Sequence, residues 1–260
     1  MTETDDGRVL FERDGRVAVI TLDRPGKLNA YTPHMYEELM AAFREFDENP
    51  DYRVAIFTGA GEKAFCAGAD LGKTVTSLTA GAPRHAAKDI TKRFFSDIYK
   101  PIITAVNGLC IAGGTEMLQG TDIRIAVPEA KFALGEVRWG ITPGGGSHVR
   151  LPRQIPWAVA MEILLTGQPI TAQRAYEIGL VNKIVEREHL MDEAMAYANL
   201  ISDNAPLAVR AVKEIAVRAL QLETPFEMEY YISDKVLFTE DAKEGPKAFA
   251  EKRKPDYKGR

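Results

Sequence analysis

Cysteine is nearly missing from this chain of 260 residues: Cys66 and Cys110 are the only two, and neither sits in a CxxC spacing. A disulfide framework and a thiolate zinc site are thereby excluded, and a reducing, cytoplasmic setting is expected. Histidine is also scarce, with His34, His85, His148 and His189 scattered outside any HxxxH or HxH spacing, so no metal is expected. No sign of charge prevails either. With 33 basic against 37 acidic residues the net charge is −4, too even for a nucleic-acid or membrane-surface footprint. No apolar run approaches the roughly 20 residues of a membrane span. The opening stretch MTETDDGRVLFERDGRVAVITLDRP lacks the basic and long apolar regions of a signal peptide. What is left is a chain acting on a small molecule.

The length allows one large α/β unit with an appendage. β-rich runs at Val17 to Leu22, Val54 to Thr58, Ile102 to Val106 and Ile123 to Val127 are separated by turns or helical stretches and predict strands of one layered core. Met35, Tyr36, Leu39, Met40, Phe43 and Phe46 recur at helical spacing after Thr32, with Pro33 suited to a first turn. After Pro156 helix signals are almost continuous, with Gly167 and Gly179 as stops and Thr171 and Pro206 as starts. The stretch from Leu71 to about Lys100 reads as a long loop giving way to a helix toward Tyr99, and long loops inside compact domains are often functional.

Chemistry concentrates in two glutamates. The segment AVNGLCIAGGTE, 105 to 116, is a β-branched run, a Gly-rich turn and then a helix opening, which points backbone N–H groups into open space where they favour negative charge. Glu116 closes it, Glu136 follows Gly135 in FALGEVRWG, and FCAGAD at 65 to 70 supplies a further small-residue turn. Together these resemble an acid/base carboxylate pair facing an oxyanion hole. Read alone, Ala69 and Gly113 are tight-turn residues, Glu116 a first-turn carboxylate and Glu136 a surface charge. The near match GAGEKA at 59 to 64 to a dinucleotide fingerprint does not open a helix, so nicotinamide or flavin binding is not expected.

FCAGADL, AVNGLCIAGGTE, FALGEVRWGITPGGGS and LFTEDAKEGPKAFAEKRKPDYKG occur in that order, joined by RPGKLNA at 24 to 30 and LTGQPITAQRAYEIGLVNKIV at 165 to 185. From about residue 9 to the C-terminus the chain resembles the enoyl-CoA hydratase/isomerase, or crotonase, superfamily. The resemblance implies an α/β fold with a spiral core of ββα units over 1–200 that holds the acyl-CoA site. A helical region over 201–260 would serve oligomerisation and CoA contact. It implies that the N–H groups of Ala69 and Gly113 hold the thioester oxygen, and that Glu116 and Glu136 are the catalytic carboxylates, one taking a proton from water and one delivering a proton to C2. Arg24, Lys27, Ala67, Asp70, Leu71, Phe249 and Lys252 are then expected at the CoA, which is the carrier part of the substrate; no other cofactor is expected. A homo-oligomer, a trimer or dimer of trimers, is implied, and the apolar residues Phe226 to Phe238 fit subunit contacts.

The pattern departs from the family at Gly135, where many members have proline, and at Thr115, where the best-known hydratases have cysteine. The leading expectation is an enoyl-CoA hydratase, with an isomerase or a hydratase or lyase of specialised acyl groups as alternatives. Some relatives bind RNA through a basic helix, but residues 33–49 carry Glu37, Glu38, Glu45, Asp47 and Glu48 against Arg44 alone among their Lys and Arg, which disfavours phosphate. An idle acyl-CoA binder would need neither glutamate.

Overall fold

The computed structural model describes residues 6–75 and 94–260. Among the described residues ten strands form two sheets: β1 (Arg8–Asp14), β2 (Val17–Asp23), β3 (Val54–Gly59), β4 (Ala64–Cys66), β5 (Ile102–Val106), β6 (Leu109–Ile111), β7 (Ile123–Ala126), β8 (Lys131–Ala133), β9 (Ile170–Thr171) and β10 (Lys183–Ile184). The larger sheet runs β1-β2-β3-β5-β7-β10 and the smaller β4-β6-β8-β9. Each turn of the chain therefore lays a strand in the large sheet and the next in the small one, as β3 then β4, β5 then β6, β7 then β8. This is the spiral ββα core expected from the sequence.

The register follows from burial. Every residue of β3 and β5 is buried, as suits parallel strands covered on both faces, and their sequences VAIFTG and IITAV are correspondingly unbroken. β1 pairs antiparallel with β2 at the edge and is largely exposed. The predicted strands coincide with β2, β3, β5 and β7 to within a residue.

Helix α1 (Pro33–Glu48) starts as its sequence directs: the Thr32 hydroxyl accepts from the Met35 N–H at 3.2 Å, and Pro33 occupies the first turn. Met35, Leu39, Phe43 and Phe46 form its buried stripe. Phe43 meets Phe95 at 4.0 Å and Phe57 edge-on at 5.4 Å between ring centres. Each such ring contributes about 1.5–3 kcal/mol by leaving water.

Among the described residues the remaining α-helices are α2 (Gly113–Gln119), α3 (Ser147–Gln154), α4 (Trp157–Thr166), α5 (Ala172–Glu177), α6 (Leu190–Ser202), α7 (Pro206–Ala219), α8 (Glu223–Leu237) and α9 (Glu240–Ala250). Gly167 ends α4 in the left-handed region at φ 62°, and the Thr171 hydroxyl caps α5 by accepting from the Arg174 N–H. α7 has no buried residue. After β3 the GAGEKA segment turns directly into β4 and opens no helix. Leu71–Val75 forms one wide helical turn and residues 94–97 a tight one. The rest of the loop and helix expected there lies outside the described residues. Among the described residues no helix is long and apolar enough to cross a membrane.

Candidate active site

Two turns meet at the ends of β4 and β6, parallel neighbours in the smaller sheet. The first, Ala67–Gly68–Ala69, is held by Tyr31: the Tyr31 N–H donates to the Gly68 carbonyl at 2.9 Å and the Asp70 N–H donates to the Tyr31 carbonyl at 2.9 Å, bracketing Ala69. The second joins β6 to α2. There Ala112 adopts φ 52°, ψ −123°, a conformation costly for a residue with a Cβ, and this aims Gly113 at the start of the helix. The turns touch, since a methyl group built on Gly68 would stand 2.8 Å from Ala112 Cβ and 3.0 Å from the Gly113 nitrogen. Neither the Ala69 nor the Gly113 N–H donates to any acceptor among the described residues. Two free donors therefore sit side by side, in the arrangement that favours an oxygen gaining negative charge.

α2 is buried along its whole length. Thr115 anchors it, its hydroxyl lying 2.6 Å from the Cys110 carbonyl of β6 and 2.9 Å from the Ala133 carbonyl of β8. That gives the departure at Thr115 a physical function: it ties the helix to β6 and β8 of the small sheet. At the next residue, a Glu116 oxygen accepts the Gly145 N–H at 2.6 Å.

Glu136 opens a short turn, Glu136–Trp139, and is buried. Its Oε2 has no hydrogen-bond partner among the described residues. Burial, and then the charge of Glu116, push its carboxyl well above the usual carboxylate range. The Gly135 backbone lies at φ −84°, ψ 4°, open to any residue, and an added Cβ would find nothing nearer than the Gly167 carbonyl at 3.9 Å. The glycine therefore does not displace the glutamate that follows it.

Ala67, Ala69, Leu71, Gly113, Glu116, Glu136 and Phe249 all line one cavity of about 370 Å³. Its other walls include Tyr31, Tyr36, Phe94, Trp139, Ile141 and Leu237. Sequence reasoning did not place these, because aromatic residues at such positions look like ordinary core. Among the described residues lining the cavity, the two glutamates are the only carboxylates and there is no cation. Trp139 and Phe249 meet edge-on at 4.9 Å, closing the wall with a ring from α9.

Four expected CoA contacts stand elsewhere. Arg24 is buried and committed: its Nη1 donates to the Asp70 Oδ2 and to the Ala30 carbonyl, so neither Arg24 nor Asp70 lines the cavity. Burial raises the Asp70 carboxyl, but hydrogen bonds from Arg24 and the Lys73 N–H, with the Arg24 charge, outweigh it and hold the carboxyl below its usual range. Arg24 thus serves as a brace beneath the Ala69 turn and is unavailable to a phosphate. Lys27 and Lys252 are exposed and stand outside the cavity wall. Cys66 and Cys110 are buried free thiols; burial drives Cys66 up to about 12 and Cys110 upward as well, which removes both from nucleophilic work.

This geometry has relatives. The chain is 42% identical over 262 residues to the enoyl-CoA hydratase EchA19 of Mycobacterium tuberculosis, covering 96% of both chains. It is 39% identical to the (E)-benzylidenesuccinyl-CoA hydratase of Thauera aromatica, covering 96% of this chain and 99% of that one. The solved structure of a carnitinyl-CoA dehydratase from Mycobacterium avium 104 superposes with a TM-score of 0.87 at 37% identity, over 98% of this chain and 100% of the other. The model of the enoyl-CoA hydratase/isomerase family matches residues 12–260. With its spiral of two sheets and its two adjoining turns, the chain belongs to the enoyl-CoA hydratase/isomerase family.

Proposed function

We propose that this protein is an enoyl-CoA hydratase, adding water reversibly to a trans-2-enoyl-CoA to give a 3-hydroxyacyl-CoA. The observation that carries the reading is the pair Glu116 and Glu136 on one apolar cavity whose wall also presents the unpaired N–H groups of Ala69 and Gly113. As water attacks C3, Glu116 takes its proton, and the π electrons move toward the thioester oxygen, which the two N–H groups receive. Glu136, kept protonated by burial and by its neighbour's charge, delivers its proton to C2. The Gly145 N–H on Glu116 favours the ionised form that a base requires. Because the donors pair better with a full negative charge than with a neutral carbonyl, they lower the barrier more than they tighten binding.

The wall favours an apolar acyl group, since no described cation faces it. Exposed Lys27 and Lys252 are the chain's offering to the CoA phosphates, with Phe249 packing beside the carrier. α7 and α8 present Leu207, Val212, Ile215, Met228, Tyr231 and Ile232 to solvent, each more than half exposed. A second copy covering them in a trimer-based assembly accounts for that surface. A monomer by light scattering at micromolar concentration would defeat the assembly.

The deciding experiment mixes the purified protein with crotonyl-CoA and longer trans-2-enoyl-CoAs and follows the ultraviolet absorbance of the conjugated thioester. Loss of absorbance with formation of the 3-hydroxyacyl-CoA establishes hydration. Tight binding with no loss moves the reading to an isomerase or a specialised acyl group.

A further inference from the structure

We propose that the Tyr31 hydroxyl is a third hydrogen-bond donor to the thioester oxygen, beside the N–H groups of Ala69 and Gly113. The inference rests on the acyl-CoA reading above and adds a residue to it.

Three observations place the phenol there. Its backbone is pinned to one donor turn, with the Tyr31 N–H on Gly68 and the Tyr31 carbonyl on the Asp70 N–H, each at 2.9 Å. Its side chain covers the other: a methyl group on Gly113 would stand 2.7 Å from the Tyr31 hydroxyl and 2.8 Å from its Cε1. Gly113 is therefore glycine because a tyrosine ring occupies the space its side chain would need. Finally, the hydroxyl opens on the cavity and makes no hydrogen bond with the described residues, although both glutamates are close enough to bear on it electrostatically.

A phenol left unpaired in an apolar chamber is unfavourable, and a ligand oxygen arriving there relieves the cost. Burial first, and then the Glu116 charge, raise the Tyr31 pKa, so the group stays a neutral donor at any working pH. It is a poor partner for a cation and a good one for an oxygen becoming anionic, because hydrogen bonds to charged acceptors are the stronger ones. The ring is held in place by Tyr36 at 6.2 Å, which itself packs on Phe94 at 6.1 Å. The donor is thus fixed before the substrate arrives.

The test is Tyr31→Phe, which keeps the ring and its packing and removes only the hydroxyl. Two readouts are taken on the full-length protein: steady-state hydration of crotonyl-CoA, and isotope-edited infrared difference spectra of the thioester carbonyl of bound butanoyl-CoA. The expected result is a fall in kcat of about 10-fold to 100-fold, below the 10²–10³ lost with a main donor. KM should stay within about threefold, and part of the shift of the carbonyl stretch to lower frequency should be lost. A merely structural tyrosine would leave the carbonyl frequency of the bound ligand unmoved. Unchanged kcat and carbonyl frequency in Tyr31→Phe, with the parent protein hydrating crotonyl-CoA, overturn this proposal alone. Failure of the parent protein to bind any acyl-CoA overturns both this proposal and the reading on which it stands.

Discussion

Arg24 and Asp70 form an ion pair at 2.8 Å, with the guanidinium side chain 3% exposed and the carboxylate 19%. The pair joins the turn after β2 to the residue that follows Ala69, so the position of one candidate oxyanion donor depends on a charge pair it never touches. Replacing Arg24 with methionine keeps the apolar stem, leaves Asp70 with its backbone donors alone and takes the guanidinium from the Ala30 carbonyl. The expected loss is about 2–3 kcal/mol in chemical denaturation, below the roughly 3–5 kcal/mol for breaking a fully buried pair because Asp70 keeps some solvent. The folded Asp70 pKa lies below its unfolded value, so the stabilisation is present above the unfolded value and lost as pH falls through the folded one. The gap between parent and variant should accordingly close in acid. A gap that stays constant would mean that the packing of the stem, and not the charge, holds the turn.

Glu116→Gln and Glu136→Gln should each lower hydration by a hundredfold or more, in line with the roughly 10²–10⁴ contributed by general acid–base groups. Both amides fit the same space, so far-ultraviolet circular dichroism serves as the control for folding. A variant that retains near-normal turnover would remove its residue from the proton-transfer steps.

Glu136 also sets a pH dependence of stability. Its folded pKa is raised, so between the unfolded and folded values the native chain keeps a proton that the unfolded chain has released. That stabilisation is complete below the ordinary glutamate value and is lost as pH rises through the folded one. Glu136→Gln has no proton to lose, so its melting temperature should gain on the parent as pH rises above the ordinary glutamate value. Each unit of elevation corresponds to about 1.4 kcal/mol, and 1 kcal/mol to about 2–4 °C in a domain of this size. An equal gap below and above the ordinary glutamate value would show a carboxyl already ionised when buried.

Gly135→Ala should be silent in catalysis, within about twofold, because the backbone at φ −84° suits any residue and the new Cβ has open space. A small gain in stability, about 0.4–1 kcal/mol, is expected from the reduced freedom of the unfolded chain. A tenfold loss of turnover would mean that Glu136 needs a mobile neighbour.

Much of this was legible in the residues alone. Thr32, Pro33, Gly167 and Thr171 punctuate helices through local chemistry, and β3 and β5 read as strands because unbroken apolar runs leave little alternative. The three-residue strands β4, β6 and β8 were not legible, since so short a segment carries no period and pairs only because its neighbours in the spiral are in place. Around the cavity, the adjoining turns announced themselves by small residues. Arg24 misled, because in RPGKLNA it looks as available as Lys27, and only the fold reveals Asp70 46 residues away as its partner. Tyr31 was silent for the opposite reason: nothing in its sequence setting distinguishes a core ring from one whose hydroxyl is left without an acceptor.

α7 spans 14 residues and buries none of them. A helix of that length is marginal in water by itself, and its own chain holds it only at the margin, through contacts such as Lys213 to the Asp122 carboxylate and Arg218 over the Tyr99 ring. Its amide hydrogens are therefore the place to test the proposed association. In dilute protein they should exchange close to the rate of a fraying peptide, and slow as concentration rises and a neighbour covers Val212 and Ile215, while those of β3 and β5 keep a protection that dilution does not alter.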